Sequence, residues 1–276
     1  MRVDMHIHSS YSDSSRSPEE IVSIAKSKNV GLISVCDHGT IDAYDRLLAA
    51  CKDNSINCVL GIELSAVWGD EDDLHILAYN FDRDNEKMKA LISEQHQDSE
   101  CDWIAYNMSL DYPQVTLEDY RKFEYPRGSG GWKYIYYAVE KGIVETYEEG
   151  MNTLYSKYST PNHLSHAKIK LQDFCSIVKQ AKGVPVLAHP GYLYENNADG
   201  FTKILGEFKE LGIGGIECYY PSHSKDCTSV CVDFCKNNDL RITCGCDCHG
   251  DFDTDEGFTI GALDVSLEML DLKGIV

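Results

Sequence analysis

Apolar and polar positions change rhythm several times along this chain. Residues 2–8, "RVDMHIH", alternate with period two as a strand does, and Pro18–Lys28 repeats its apolar positions at helical spacing behind the opener "SPEE". "GLISVCDHG" predicts a second strand running into a turn, and a helix follows from about Ala43 to Asp53. "CVLGIEL", "LHILAYN", "GVPVLAHPG", "IGGIECYY" and "LRITCGCDCHG" predict five further strands, set among helical stretches. This is the order of β-α-β units, and it predicts a mostly parallel α/β barrel. Residues 83–170 break the rhythm with polar helical stretches, the Gly-rich "YPRGSGGW" and a Tyr-rich segment. They predict an inserted, mostly helical subdomain covering the active site, with the barrel formed by 1–82 and 171–276. There is no internal repeat and no low-complexity tract.

Composition changes this picture little. The 276 residues suffice for one large barrel carrying an insertion, and 43% hydrophobic with 25% charged residues is ordinary for a soluble globular protein. No run of eighteen apolar residues occurs, so no membrane span is expected. The chain enters "VDMHIH" without a basic region and an apolar stretch before it, which makes the cytoplasm the expected location. Twelve cysteines then read as reduced thiols. Cys227, Cys231 and Cys235 form one stripe of a helix, and Cys244, Cys246 and Cys248 one face of a strand. Neither set has paired CxxC spacing, so both read as core packing.

Charge narrows the partners. Lys plus Arg number 25 against 45 for Asp plus Glu, a formal net charge of −20. Binding duplex DNA needs many phosphate contacts from Lys and Arg, so it is not expected. A small phosphorylated ligand stays open, because bound divalent ions invert the local field inside an acidic protein.

The candidate chemistry lies where the strands end. His6 and His8 share a face of the first strand, where two imidazoles can chelate one cation. Asp37 and His38 end the second strand, Glu63 lies in the third, His75 in the fourth, His189 precedes a Pro-Gly turn, and Asp247 and His249 share a face at the last. Each has an ordinary explanation alone: His75 as a core histidine, Asp13 as a turn residue, Asp37 as the holder of a neighbouring imidazole's tautomer. Together they form a set delivered by six strands to the end of the barrel where barrel active sites gather. Its buried charges would be costly unless paired or metal-bound.

The segments "DMHIHSSYSD", "CDHGT", "GIE", "LHILAY", "AHPG", "IECYYPSHS" and "GCDCHG" closely resemble, in order, the motifs of the polymerase and histidinol phosphatase (PHP) family. The resemblance spans residues 1–80 and 184–250 and is closest to stand-alone metal-dependent phosphoesterases that act on nucleoside 3',5'-bisphosphates, short RNA or cyclic ribose phosphates. It implies a distorted seven-stranded (β/α) barrel with three divalent ions. By motif, His6, His8, Glu63 and Asp247 hold one; Glu63 bridges to a second with His75 and His189; Asp13, His38 and His249 take the third. Mixed imidazole and carboxylate ligation suits Mn, Fe or Zn.

Such a centre implies phosphate-ester hydrolysis by a hydroxide bridging two ions. His223 in "YYPSHS" is the candidate proton donor to the leaving oxygen, and Asp37 joins it as a candidate catalytic residue. Arg127, Lys133 and Arg16 are candidates for a remote phosphate; where the family typically reads Arg-Pro-His, this chain has Gly128 and Ser129 after Arg127. The expected substrate is a nucleoside 3',5'-bisphosphate. A cyclic phosphate of ribose 5-phosphate and short RNA are the alternatives, and a non-catalytic metal or phosphate sensor is the reading from another class.

Overall fold

The structure, a computed structural model, describes residues 1–69, 71–125, 127–158, 169–252 and 256–276. Strands β1 (Arg2–Ile7), β2 (Val30–Val35), β3 (Asn57–Trp68), β4 (Glu71–Tyr79), β5 (Val184–Leu187), β6 (Gly215–Tyr219) and β7 (Arg241–Cys244) form one seven-stranded sheet in sequence order. β1, β2 and β3 run parallel, as do β5, β6 and β7, whereas β4 is antiparallel to both of its neighbours. The mostly parallel sheet therefore has one reversed strand. The polar segment between β3 and β4 is too short for a crossover helix, so the two strands extend into a hairpin.

The sheet curls until its edges meet. Val3 and Met5 of β1, Leu32 of β2, Val59 of β3, Leu77 and Tyr79 of β4, Val186 of β5 and Cys244 of β7 share one buried cluster. Tyr79 O–H reaches across from β4 to donate to the Met5 carbonyl at 2.8 Å. At the mouth, Asp247 N–H donates to His6 O at 2.7 Å and His8 N–H to Cys248 O at 3.0 Å, joining the tail of β7 to β1. Two bonds and one bridge in place of a full ladder make a distorted barrel. Val265, Leu272 and Ile275 add the C-terminal segment to the same cluster.

Helices α1 (Pro18–Ser27) and α2 (Tyr44–Asn54) cover β1 and β2 through Ile21, Val22, Ala25, Leu47 and Cys51. α1 begins at Pro18 because Ser17 and Glu20 form a reciprocal capping box. The chain then runs through α3 (Glu86–Glu94), α4 (Gln97–Asp111), α5 (Leu117–Lys122), α6 (Lys133–Glu140), α7 (Tyr147–Gly150) and α8 (Ser156–Tyr158). It returns to the barrel with α9 (Leu171–Gln180), α10 (Gly191–Asn196), α11 (Phe201–Leu211) and α12 (Lys225–Asn238). Cys227, Cys231 and Cys235 bury the inner stripe of α12 in the main core, and all twelve cysteines are free thiols.

The insertion has a core of its own, built from Ile104, Met108, Tyr120, Tyr134, Tyr137 and Tyr158 among others. That core starts at Cys101, later than the boundary at residue 83 expected from sequence, because Met88 and Leu91 of α3 pack into the barrel core. Gln95 fixes the junction, its amide exchanging hydrogen bonds of 2.8 Å with the backbone N–H and C=O of Ser65. Among the described residues no helix is long and apolar enough to cross a membrane.

Candidate metal centre

Strict alternation along β1 would place Val3, Met5 and Ile7 on one face and His6 and His8 on the other. The structure inserts a bulge: between Asp4 and Ile7 three steps of β1 oppose two of β2. Met5 then belongs to the barrel interior and Ile7 to the layer under α1 and α2. The face changes between them, which turns His6 and His8 toward the mouth.

There the predicted ligands converge as three overlapping groups: His6, His8, Glu63 and Asp247; Glu63, His75 and His189; and His8, Asp13, His38 and His249. Within each group the donor atoms lie within 4.8 Å of one another. Glu63 is shared by the first two, with one oxygen 3.2 Å from Nε2 of both His6 and His8 and the other 2.9 Å from His75 Nδ1 and 3.2 Å from His189 Nε2. His8 is shared by the first and third, an addition to the set implied by the family motif.

The donor set fits divalent cations. His6 Nε2 and His8 Nε2 face each other at 3.2 Å with Asp247 Oδ1 3.3 and 3.0 Å from them, and His8 Nδ1 is buried with no hydrogen-bond partner among the described residues. Lone pairs that converge in a buried space are costly unless something positive takes them. Six imidazoles and three carboxylates suit a transition-metal or zinc ion.

The rings are aimed by groups behind them. His249 Nδ1–H donates to the Asp247 carbonyl at 2.8 Å, which turns its Nε2 inward. His6 Nδ1 contacts Glu217 Oε1 at 3.1 Å, while the other Glu217 oxygen accepts the His189 backbone N–H at 2.8 Å. One buried carboxylate thus fixes two candidate ligands. His189 (φ 24°) and Asp247 (φ 53°) both have left-handed backbones, strain that local hydrogen bonds must hold. Gly245 is required here, since a Cβ would lie 2.1 Å from His6 Cβ and 2.6 Å from Glu217 Oε1.

Burial disfavours charge on the rings of His6, His8, His38 and His75, and the carboxylates decide the outcome. Against that burial, Glu63, Asp247 and Glu217 hold His6 well above the usual histidine value, and hydrogen bonds with Asp247 and Glu63 hold His8 up to about 10. Glu63 and Asp73 likewise raise His75 against its burial. For His38 burial prevails, and its pKa falls to about 4. Glu63 and Asp247 stay well below the carboxylate range despite burial, because imidazoles surround them. Free of cations, the centre stores protons that cations must displace.

Other predicted residues fall differently. Asp37 accepts from Ser9 N–H at 2.7 Å and from the hydroxyls of Ser9 and Ser12, both at 2.6 Å. It clamps the loop that carries Asp13 instead of orienting a ring, the task Glu217 performs for His6. His223 Nδ1–H donates to the Cys218 carbonyl at 3.2 Å, and its Nε2 is buried with no partner among the described residues. The Tyr220 ring lies 5.3 Å from both His189 and His223, linking that imidazole to the centre. Arg16 is bound to Asp251, and Lys133 Nζ sits 4.7 Å over the Tyr120 ring within the insertion, so both cations already have partners. Arg127 opens a single turn, Arg127–Ser129, and its side chain lies outside the described residues.

Sequence reasoning passed over three residues. Glu217 left a signal, an acid inside the apolar run "GGIECYY". Tyr220, whose O–H donates to Asp247 Oδ2 at 2.8 Å, left none. Trp132, stacked on His38 with ring centroids 6.3 Å apart, reaches the centre from the insertion.

The family model described as PHP domain matches residues 4–215. The chain belongs to the PHP domain family. Among curated relatives, a 5'-3' exoribonuclease of Haemophilus influenzae is 27% identical over 90% of each chain. A 3',5'-nucleoside bisphosphate phosphatase of Chromobacterium violaceum is 25% identical over 81% of this chain and 79% of its own. A phosphoribosyl 1,2-cyclic phosphate 1,2-diphosphodiesterase of Eggerthella lenta is 26% identical over 90% and 94%. A crystal structure from Bifidobacterium adolescentis, of a protein provisionally described as a metal-dependent phosphoesterase, superposes with a TM-score of 0.77 at 22% identity, covering 100% of this chain and 95% of that one. It establishes the PHP-type fold, a barrel of the distorted kind expected from sequence.

Proposed function

We propose that this metal-dependent phosphoesterase removes the 3'-phosphate of nucleoside 3',5'-bisphosphates at the centre around Glu63. The enzyme class is that of its family and curated relatives; the substrate is our reading. The observation that carries it is the convergence of nine ligand-competent side chains into three groups sharing Glu63 and His8. Divalent ions held there supply Lewis acidity toward phosphate oxygens and a water acidic enough to act as nucleophile near neutral pH.

The chain's own residues do the rest. Glu217 and the Asp247 carbonyl keep the ring nitrogens of His6 and His249 turned inward. His223 is the proton donor to the leaving oxygen: with Nδ1–H committed to a carbonyl, the protonated ring has only Nε2–H to give. Arg127 takes the second phosphate, a task suited to a planar guanidinium.

The three relatives, at nearly equal identity, carry three different activities, so likeness alone does not choose a substrate. The aromatic side of the insertion favours a base-bearing substrate. A second reading, stepwise 5'-3' hydrolysis of short RNA, is favoured by the Haemophilus influenzae relative. The test is product release with added Mn²⁺ from adenosine 3',5'-bisphosphate, a 5'-phosphorylated dinucleotide and the 1,2-cyclic phosphate of ribose 5-phosphate. The highest kcat/KM is expected on the bisphosphate. A preference for the cyclic ester would overturn the substrate assignment, and no turnover on any ester would favour a sensor.

A further inference from the structure

The sequence "GSGGWKY" resolves into a device that carries one aromatic ring from the insertion to the metal centre. Gly130 and Gly131 are consecutive left-handed residues, φ 69° and 76°, a path that side-chain-bearing residues rarely take. The turn they make is held by two successive amides: Gly131 N–H donates to the Asp13 carbonyl, and Trp132 N–H donates to the Tyr147 hydroxyl oxygen at 2.9 Å. Asp13 belongs to the third ligand group, so the insertion is bonded directly to the loop bearing a candidate ligand. Trp132 is only half-buried. It stacks against His38 at an interplanar angle of 29°, with the Tyr155 ring, 39% exposed, 6.1 Å away.

We propose that Trp132, set by the Gly130–Gly131 turn, is the platform on which the substrate's nucleobase stacks, with Tyr155 as the neighbouring ring. This rests on the phosphoesterase reading and deepens it, by assigning the selection of base-bearing esters to one side chain. The geometry argues for it in two ways. The indole lies against a ring of the centre itself, so a group joined to a bound phosphate through one sugar can reach it. An aromatic face accepts any base, since every base has a π-face, and it gives no advantage to a bare sugar phosphate. The shared chemistry is a base on a ribose phosphate, offered either by a mononucleotide or by the end of a short RNA.

Two measurements test this. The first uses the zinc-loaded protein carrying Trp68→Phe and Trp103→Phe, which leaves Trp132 as the one remaining tryptophan of the three in the chain. Adenosine 5'-phosphate should quench its fluorescence and ribose 5-phosphate should not; equal responses to the two would overturn the proposal. The second compares kcat/KM for adenosine 3',5'-bisphosphate with that for ribose 3,5-bisphosphate in Trp132→Ala. Any loss transmitted through His38 is common to both esters, so the ratio isolates the base. It should fall by about tenfold or more, the scale of one base–aromatic stack. An unchanged ratio would make Trp132 a structural contact only. A parallel arm with a 5'-phosphorylated dinucleotide identifies the source of the base by which nucleotide loses more. Failure of the phosphoesterase reading is told apart because it abolishes turnover on every ester, while the fluorescence contrast does not depend on turnover.

Discussion

The barrel mouth and the insertion meet at the same centre but are built on opposite principles. At the mouth, side chains are delivered by strand ends and locked from behind: His6 by Glu217, His249 by the Asp247 carbonyl, and the Asp13 loop by Asp37. The insertion has a separate tyrosine-rich core, and its described contacts with the centre run through the Gly131–Trp132 turn. Under the proposed function, reaction chemistry resides at the barrel mouth and substrate choice in the part added to it. This division predicts that changes at the mouth alter metal content or the rate on every ester, whereas changes in the insertion alter the ranking of esters.

The largest effect belongs to Glu63→Ala. Removing the carboxylate shared by two groups should abolish measurable hydrolysis and empty two metal positions, since it balances the charge of both; metal analysis per chain checks this. Next comes His223→Asn, expected to slow turnover about a hundredfold with metal content intact, and most for alkyl esters, whose leaving oxygen needs the proton. A linear free-energy series over leaving groups would reveal that dependence. Arg127→Ala should cost the bisphosphate about ten- to a hundredfold in kcat/KM and p-nitrophenyl phosphate far less, through loss of a charge-assisted bidentate contact. An equal loss on both esters would erase the proposed division.

Glu217→Gln sharpens the mouth side of the comparison. The amide keeps the shape but replaces one acceptor oxygen by a donor, so His6 and His189 N–H can no longer both be satisfied. Metal affinity should fall by roughly ten- to a hundredfold, measured by competition with a chelator. The smallest effect is a pH dependence of the metal-free protein. The folded pKa of His8 lies above its ordinary 6.5, at about 10, so its stabilising contribution is complete below 6.5 and is lost as pH rises toward 10. Tm of the metal-free protein should therefore decline over that window. Metal binding near pH 7 should release protons, detected calorimetrically in buffers of different ionisation enthalpy.

Much of the mouth was readable from sequence because strand-end positions report their own faces: most of the set lies at the ends of predicted strands, the resemblance to the family's motifs added Asp13, and the six imidazoles and three carboxylates do converge. Four things were not readable, each for a physical reason. The β1 bulge depends on register against β2, a relation between segments that alternation within one strand cannot express. The reversal of β4 depends on the β3–β4 connection being a hairpin, where helical spacers were expected between strands. Arg16 and Lys133 look like free cations in sequence, yet Asp251, distant along the chain, pairs with the first and the Tyr120 ring lies under the second. Trp132 is a long-range case too, since only the folded insertion brings its ring to His38.

The central claim is that Glu63 and the eight residues around it form a shared metal centre. Anomalous diffraction from crystals grown with Mn²⁺ and phosphate tests it most directly. The account predicts three peaks, two of them bridged by Glu63, with the third among Asp13, His38 and His249. Absence of an ion between Glu63 and the His75–His189 pair at full occupancy of the others would contradict it.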